Sequence, residues 1–308
     1  MKILKPKFWQ NKLNFFSIIL LPFTLLYMVL IKIRKSFSIQ KKFKIPLICV
    51  GNIYIGGTGK TPLAIKIKNE LKNFKKTVVV RKYYKNHKDE HRLIKEKTNS
   101  LILNSSRSAA IKEAEKNNYD AVILDDGFQD YSIKKDLNIL CFNSNQLIGN
   151  GLLFPSGPLR EGMSSIRDAK IIIINGKTNK EFEKKIFEIS NNTNIYYSKY
   201  LPLNTSQFKG KKILAIAGIG NPDNFFETLK ENHLDIQKTI SFPDHYEFKK
   251  EELEKIIEEA RQNNWEIVTT EKDYYRINIL GFKNIKYLEI ELKILDKEKL
   301  ISQILRYI

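Results

Sequence analysis

The chain has almost no cysteine: Cys49 and Cys141 are the only two in 308 residues, each inside an apolar run and neither in a C-x-x-C pair. This excludes a disulfide-stapled secreted fold and a thiolate-ligated metal, and it fits a reducing compartment. Acid is missing from the first forty-four residues, which hold nine lysines and Arg34, so ten of the nineteen net positive charges lie in that one segment. With more than half of the excess gathered there, nucleic acid is not an expected partner, because that would call for basic residues interleaved with aromatics across the rest of the chain. Charge of either sign is absent from Leu13 to Ile31, nineteen residues flanked by Lys12 and Lys32. The length approaches the roughly 20 residues of a bilayer span. Pro22 and the polar Asn14, Ser17 and Thr24 interrupt it, and no small-residue cleavage site follows. The segment reads as a helix lying in, or partly inserted into, a membrane surface with its cationic flanks on anionic lipid, a true span and a buried core helix being the alternatives.

From Lys44 onward, short apolar runs alternate with helical stretches, the pattern of a parallel sheet covered by helices. Strands are expected at Ile45–Val50, Thr77–Lys82, Ala121–Asp125, Leu137–Phe142 and Ile171–Asn175, and helices at Thr61–Asn73, Arg107–Asn117 and Asn179–Ile189. Periodicity lapses around Leu201–Gly210. The expected organisation is therefore a membrane-associating segment (1–44), a P-loop NTPase-like α/β domain (45–200), a hinge (201–210) and a smaller α/β domain (211–308).

The glycine that opens a G-x-x-x-x-G-K-[ST] phosphate loop is also missing: in "VGNIYIGGTGKTP" its place is taken by Tyr54. The phosphate-facing end is complete. Tyr54, Ile55, Gly56, Gly57, Thr58, Gly59, Lys60 and Thr61 follow an apolar strand and open a helix, so they offer converging backbone amides, a lysine and a hydroxyl for a metal ion. A P-loop also needs a carboxylate at the end of a neighbouring strand to hold Mg²⁺, and "AVILDDGFQD" supplies Asp125 and Asp126 there. No N-K-x-D base-reading motif occurs, which favours ATP over GTP. His87 and His91 stand four apart, but Lys88 occupies the position of the zinc-hydrolase glutamate, so the stretch reads as a loop that delivers Asp89 and Glu90 to the nucleotide. The loop Gly149–Gly162 is long enough to suggest function.

Taken in order, "VGNIYIGGTGKTP", "LDDGFQD", "GNGLLFPSGPLRE", "AGIGNP", "FPDHYEF" and "TTEKD" resemble the tetraacyldisaccharide 4'-kinase family of the lipid A pathway. The resemblance implies a two-domain P-loop kinase on the cytoplasmic face of the inner membrane, using MgATP on a tetraacylated glucosamine disaccharide 1-phosphate, with a monomer favoured. It implies Lys60, Asp89 and His245 as catalytic residues, Asp89 as base and His245 supporting it. It also implies Thr61, Asp125, Asp126, Glu90 and Glu161 around the metal, with Gln129 and Arg160 nearby. One region is shortened: "VRKYYKNHKDEH" keeps Arg81 and Tyr83 but lacks the family's glycines and the Gly and Pro that flank its Asp-Glu pair. Without a lipid acceptor, the alternative is a membrane-tethered regulatory P-loop ATPase.

Overall fold

A computed structural model describes residues 6–10, 14–244 and 246–308. The chain divides into two units. The first comprises the described chain up to Tyr83, Lys97–Lys199 and Leu292–Ile308, and the second Tyr84–Glu96 and Tyr200–Glu291. This departs from the expected domains in two places. The segment around Asp89 belongs with the second half of the chain, and the C-terminal residues return to the first unit. The expected hinge also begins inside a strand that runs to Pro202.

The strands in chain order are β1 (Leu47–Gly51), β2 (Thr77–Lys82), β3 (Leu101–Asn104), β4 (Ala121–Asp125), β5 (Leu137–Asn143), β6 (Ile171–Asn175) and β7 (Asn194–Pro202). They are followed by β8 (Lys212–Ala217), β9 (Asp235–Ser241), β10 (Glu266–Thr270), β11 (Lys286–Leu288) and β12 (Ile290–Ile294). Eight form one sheet in the order β12-β7-β6-β5-β1-β4-β2-β3, and four form another in the order β11-β10-β8-β9. The central strands β1, β4 and β6 are buried along their whole length and apolar up to their last residue, as parallel strands covered by helices must be. Because β1, β4 and β2 are parallel neighbours, their C-terminal ends open side by side at one edge. The residues that follow Gly51, Lys82 and Asp125 are thereby gathered.

The stretch Lys88–Thr98 is a helix, not the expected loop. Its inward face carries Asp89, Glu90 and His91 beside Leu93 and Ile94, so hydrophobic periodicity could not reveal it. Edge strand β3 is short, and β7 mixes three tyrosines with polar residues, which hid both from an apolar-run reading.

The N-terminal apolar segment forms two helices, Phe15–Ile19 and Leu21–Ser36, broken where Pro22 enters the first turn. No helix among the described residues is long and apolar enough to cross a membrane. Its polar residues face inward. Ser17 Oγ donates to the Ser156 carbonyl at 3.1 Å, Thr24 Oγ1 lies 2.8 Å from Ser156 Oγ and accepts from the Ser156 amide at 3.0 Å, and Tyr27 OH donates to the Arg160 carbonyl at 3.2 Å. Thr24 and Tyr27, three residues apart, share a face of the second helix, and Ser17 of the first helix meets the same loop. The apolar side chains point out: Phe15 is 71% exposed, Phe23 60% and Leu26 59%. The usual inside-out order is reversed. Thr24→Val removes a hydroxyl that satisfies two buried groups of Ser156, so a loss of about 1–3 kcal/mol in unfolding free energy is expected, read by urea denaturation. Thr24→Ser should recover most of it.

Candidate active site

The phosphate loop is fixed before it reaches any ligand. Asn52 Nδ2 donates to the Tyr54 carbonyl at 2.6 Å, to Thr58 Oγ1 at 3.0 Å and to the Gly56 carbonyl at 3.3 Å, tying the loop to the end of β1. Tyr54, in the place of the missing glycine, is fully buried in the core, and its hydroxyl accepts from Gln10 Nε2 at 2.8 Å. Its backbone bridges Leu159, with the Arg160 amide donating to the Ile53 carbonyl at 2.7 Å, so the long Gly149–Gly162 loop folds against the entrance of the phosphate loop. At Gly157 the fold permits no side chain, because a Cβ would stand 2.3 Å from the Leu152 carbonyl oxygen. Gly59, at φ 93°, turns the chain into the Lys60–Leu71 helix, whose N-terminal amides face the loop's concavity.

Around this cradle the strand ends supply charge. Asp125 is completely buried at the end of β4. Its Oδ2 accepts from Thr61 Oγ1 at 3.0 Å and pairs with Arg81 from the end of β2, while Arg81 Nη1 also donates to Thr61 Oγ1 at 3.2 Å. Asp125 Oδ1 has no hydrogen-bond partner among the described residues. Asp126, in the left-handed region at φ 56°, turns its carboxylate toward Lys60 Nζ at 3.7 Å and Arg160 Nη1 at 3.2 Å. Arg107 braces the turn, donating to the Asp126 carbonyl at 2.5 Å and pairing with Asp130 at 3.1 Å. Gln129 Nε2 bridges the Asn52 carbonyl at 2.8 Å and Glu161 Oε1 at 3.0 Å. Burial raises the Glu161 carboxyl above its ordinary pKa, and hydrogen bonds from Gln129 and Tyr131 oppose it only in part.

Of the residues expected at the metal and nucleotide, Lys60, Thr61, Asp125, Asp126 and Glu161 come together in the first unit. Asp89 and Glu90 lie in the second. There Asp89 Oδ2 is 3.3 Å from Arg276 Nη2, and the same guanidinium reaches Asp273 Oδ1 at 3.1 Å, the Gly218 carbonyl at 3.1 Å and the Tyr246 carbonyl at 3.1 Å. Asp273 is held in turn by the Gly218 amide at 2.9 Å and Thr270 Oγ1 at 2.7 Å. Glu90 pairs with Lys272 and with His87 Nδ1 at 3.4 Å. Burial would lower the Lys272 pKa, but Glu90, then Asp244 and Asp89, outweigh it and raise it, so the amine stays cationic. The "AGIGNP", "FPDHYEF" and "TTEKD" motifs thus converge around Asp89. His245 falls outside the described residues. Among the described residues no group of three or more His, Cys, Asp or Glu side chains is placed to hold a metal ion, and His87 precedes the helix that carries His91.

Arg81 shows no role in the sequence, and Asn52, Arg107, Lys272 and Arg276 carry no signal there of their own. An arginine at a strand end or helix start carries no pattern of its own; only the pairing with Asp125, Asp126 or Asp89 reveals it.

A parallel sheet with a glycine-turned loop, lysine and hydroxyl at one strand end and a carboxylate pair at the next defines a P-loop nucleotide-binding phosphotransferase. The comparisons narrow that class. The family model described as tetraacyldisaccharide-1-P 4'-kinase (LpxK) matches residues 16–308. The tetraacyldisaccharide 4'-kinase of Pelagibacter ubique is 42% identical over 99% of this chain and 98% of its own length, and that of Rickettsia akari is 32% identical over 99% and 98%. The crystal structure of LpxK from Aquifex aeolicus in complex with ATP superposes with a TM-score of 0.71 at 27% identity, covering 94% of this chain and 99% of that one. The chain belongs to the tetraacyldisaccharide 4'-kinase family.

Burial alone would raise the Asp126 carboxyl, but Lys60 above all, then Arg160, Arg81 and Arg107, outweigh it and hold it well below the usual carboxylate range. In acid the unfolded chain therefore binds this proton first. The group stabilises the fold above its unfolded value of about 4 and loses that contribution as pH falls toward the depressed folded value. Asp126→Asn should accordingly flatten the acid limb of a stability–pH curve measured by urea denaturation from pH 5 downward, while leaving the rest of its shape unchanged.

Proposed function

We infer that this chain is an ATP-dependent kinase that phosphorylates the 4'-hydroxyl of a tetraacyldisaccharide 1-phosphate in lipid A biosynthesis. The observation that carries the reading is the intact Gly56–Thr61 cradle beside Asp125 and Asp126 in a chain of this family. Lys60 and the loop amides hold the β- and γ-phosphates, and Arg160 lies beside them. Thr61 Oγ1, Asp126 and the buried Oδ1 of Asp125, which lacks a hydrogen-bond partner among the described residues, make an all-oxygen donor set that suits Mg²⁺. A Mg²⁺ held there would neutralise charge on the transferring phosphoryl group. The raised Glu161 carboxyl, hydrogen-bonded through Gln129 to the loop's entrance, fits a positioning role beside the metal better than direct ligation.

Asp89 accepts the proton of the sugar hydroxyl, with Arg276 fixing the carboxylate and His245 as its partner. Glu90, paired with Lys272, steadies the same helix. Asp89→Asn should lower kcat by about two to four decades, the usual span for removing a general base, with little change in ATP affinity by equilibrium binding. Near-normal kcat in this variant would move the base to another carboxylate.

The acceptor carries four acyl chains, so the enzyme meets it at a bilayer. The outward apolar face of Phe15–Ile33 is built for that encounter on the cytoplasmic side of the inner membrane, with Lys32, Arg34 and Lys35 at headgroup level. Ten large apolar side chains are about half or more exposed there, and at roughly 1 kcal/mol or more each they supply on the order of 10 kcal/mol on entering hydrocarbon. Replacing Phe23, Leu26 and Leu30 by glutamate should abolish sedimentation with anionic vesicles while sparing ATP binding and the kinase rate on detergent-dispersed acceptor. Unchanged sedimentation would place the membrane surface elsewhere.

A further inference from the structure

The Lys60–Leu71 helix begins at the phosphate loop and ends at a second concentration of positive charge. Beyond its C-terminus, where β2, β3 and β4 begin, lies an open cleft of about 490 Å³ lined by Lys68, Lys72, Lys75, Lys76, Asn73 and Tyr119 among others, and no acidic residue lines it. The phosphate loop lies at the opposite edge of the same sheet, because it follows the C-terminal end of β1 and the strands are parallel. Five strand residues at about 3.3 Å each put roughly 17 Å of sheet between the two edges.

Lysine is common on this chain, so four neighbouring lysines would mean little if they were solvated or paired. Lys76 has local company: its Nζ donates to the Asn117 carbonyl at 3.0 Å and stands 4.8 Å from the Tyr119 ring centroid. The others do not. Lys68 is only 9% exposed, and neither it, Lys72 nor Lys75 has an ion-pair or side-chain hydrogen-bond partner among the described residues. The partial negative charge at a helix C-terminus favours cations and accounts for part of the placement of Lys68 and Lys72. It does not account for holding Lys68 between like-charged neighbours in the cleft. Burial, and then the charge of Lys72, lowers the Lys68 pKa.

We propose that this cleft is a second anion site, separate from the catalytic phosphates, that takes a multiply charged phosphate-bearing molecule with its phosphoryl oxygens among Lys68, Lys72 and Lys75 and any flat or apolar portion against Tyr119. The occupant supplies the countercharge the lysines lack. Being at the end of the helix that opens on the phosphate loop, it also ties the start of β2 to that helix.

The test uses the full chain with its phosphate loop saturated by a non-hydrolysable ATP analogue and Mg²⁺, titrated with inorganic pyrophosphate by calorimetry at fixed ionic strength. Saturable binding is expected, weakened at least tenfold in the Lys68→Gln/Lys72→Gln double variant and retained in Lys68→Arg. A Lys177→Gln/Lys184→Gln control makes the same change of net charge at two exposed positions elsewhere in the first unit. Binding there should be unchanged, as should kinase activity without pyrophosphate in either double variant. A parallel arm measures sedimentation with phosphatidylglycerol against phosphatidylcholine vesicles. If only anionic-vesicle binding falls in the Lys68/Lys72 variant, the phosphate is that of a lipid headgroup; if only the pyrophosphate titration changes, it is that of a soluble ligand. Equal losses in the control variant, or no effect of Lys68→Gln/Lys72→Gln in either arm, would reduce the cleft to a solvated lysine cluster and overturn the proposal. Neither result would bear on the role of Lys60 or Asp89.

Discussion

The contact on which the first unit's chemistry depends is the buried pair of Arg81 and Asp125, with Thr61 caught between them. It joins the ends of two neighbouring strands to the first turn of the helix that follows the phosphate loop. Removing two charges from water is costly, and an ion pair in the interior repays that only when its geometry and extra hydrogen bonds are good. Here a third group, the Thr61 hydroxyl, donates to the carboxylate and accepts from the guanidinium. The result is less a source of stability than a gauge. It sets how far the Lys60–Leu71 helix stands from β4, and hence where loop amides and carboxylates fall relative to a phosphate.

Much of this was legible in the sequence because parallel sheets write themselves plainly. Five central strands appeared as apolar runs, and the glycines, Lys60 and Thr61 stood between a strand and a helix as a phosphate cradle must. What escaped was whatever buries charge or alternates weakly. The helix bearing Asp89, Glu90 and His91 turns those residues inward, so a pattern search sees only solvated polarity. The tyrosines of β7 and the brevity of β3 concealed two strands of the larger sheet. Arg107, Lys272 and Arg276 became visible only as partners of acids distant in sequence, which no local spacing encodes.

Tyr54 shows how a missing glycine can be accommodated. The opening glycine of a phosphate loop gives backbone freedom at the entrance, and here the side chain that replaces it is taken wholly into the core. The cost in freedom is offset by anchorage: its hydroxyl meets Gln10 and its backbone meets the Gly149–Gly162 loop, which also receives Ser17, Thr24 and Tyr27. The same loop therefore holds the nucleotide cradle on one side and the outward-greasy N-terminal helices on the other.

The division of the chain carries a consequence for how such a protein could have been assembled. Among the described residues the backbone passes between the two units four times, after Tyr83, Glu96, Lys199 and Glu291. A simple gene fusion of two modules would cross once. A cut near residue 200 would leave the leading fragment without the closing strand and helix of its own sheet, and the trailing fragment without the helix that bears Asp89. Neither fragment is a module that could be lent to another protein. The two units are interlaced in sequence, and no single cut separates them with both intact.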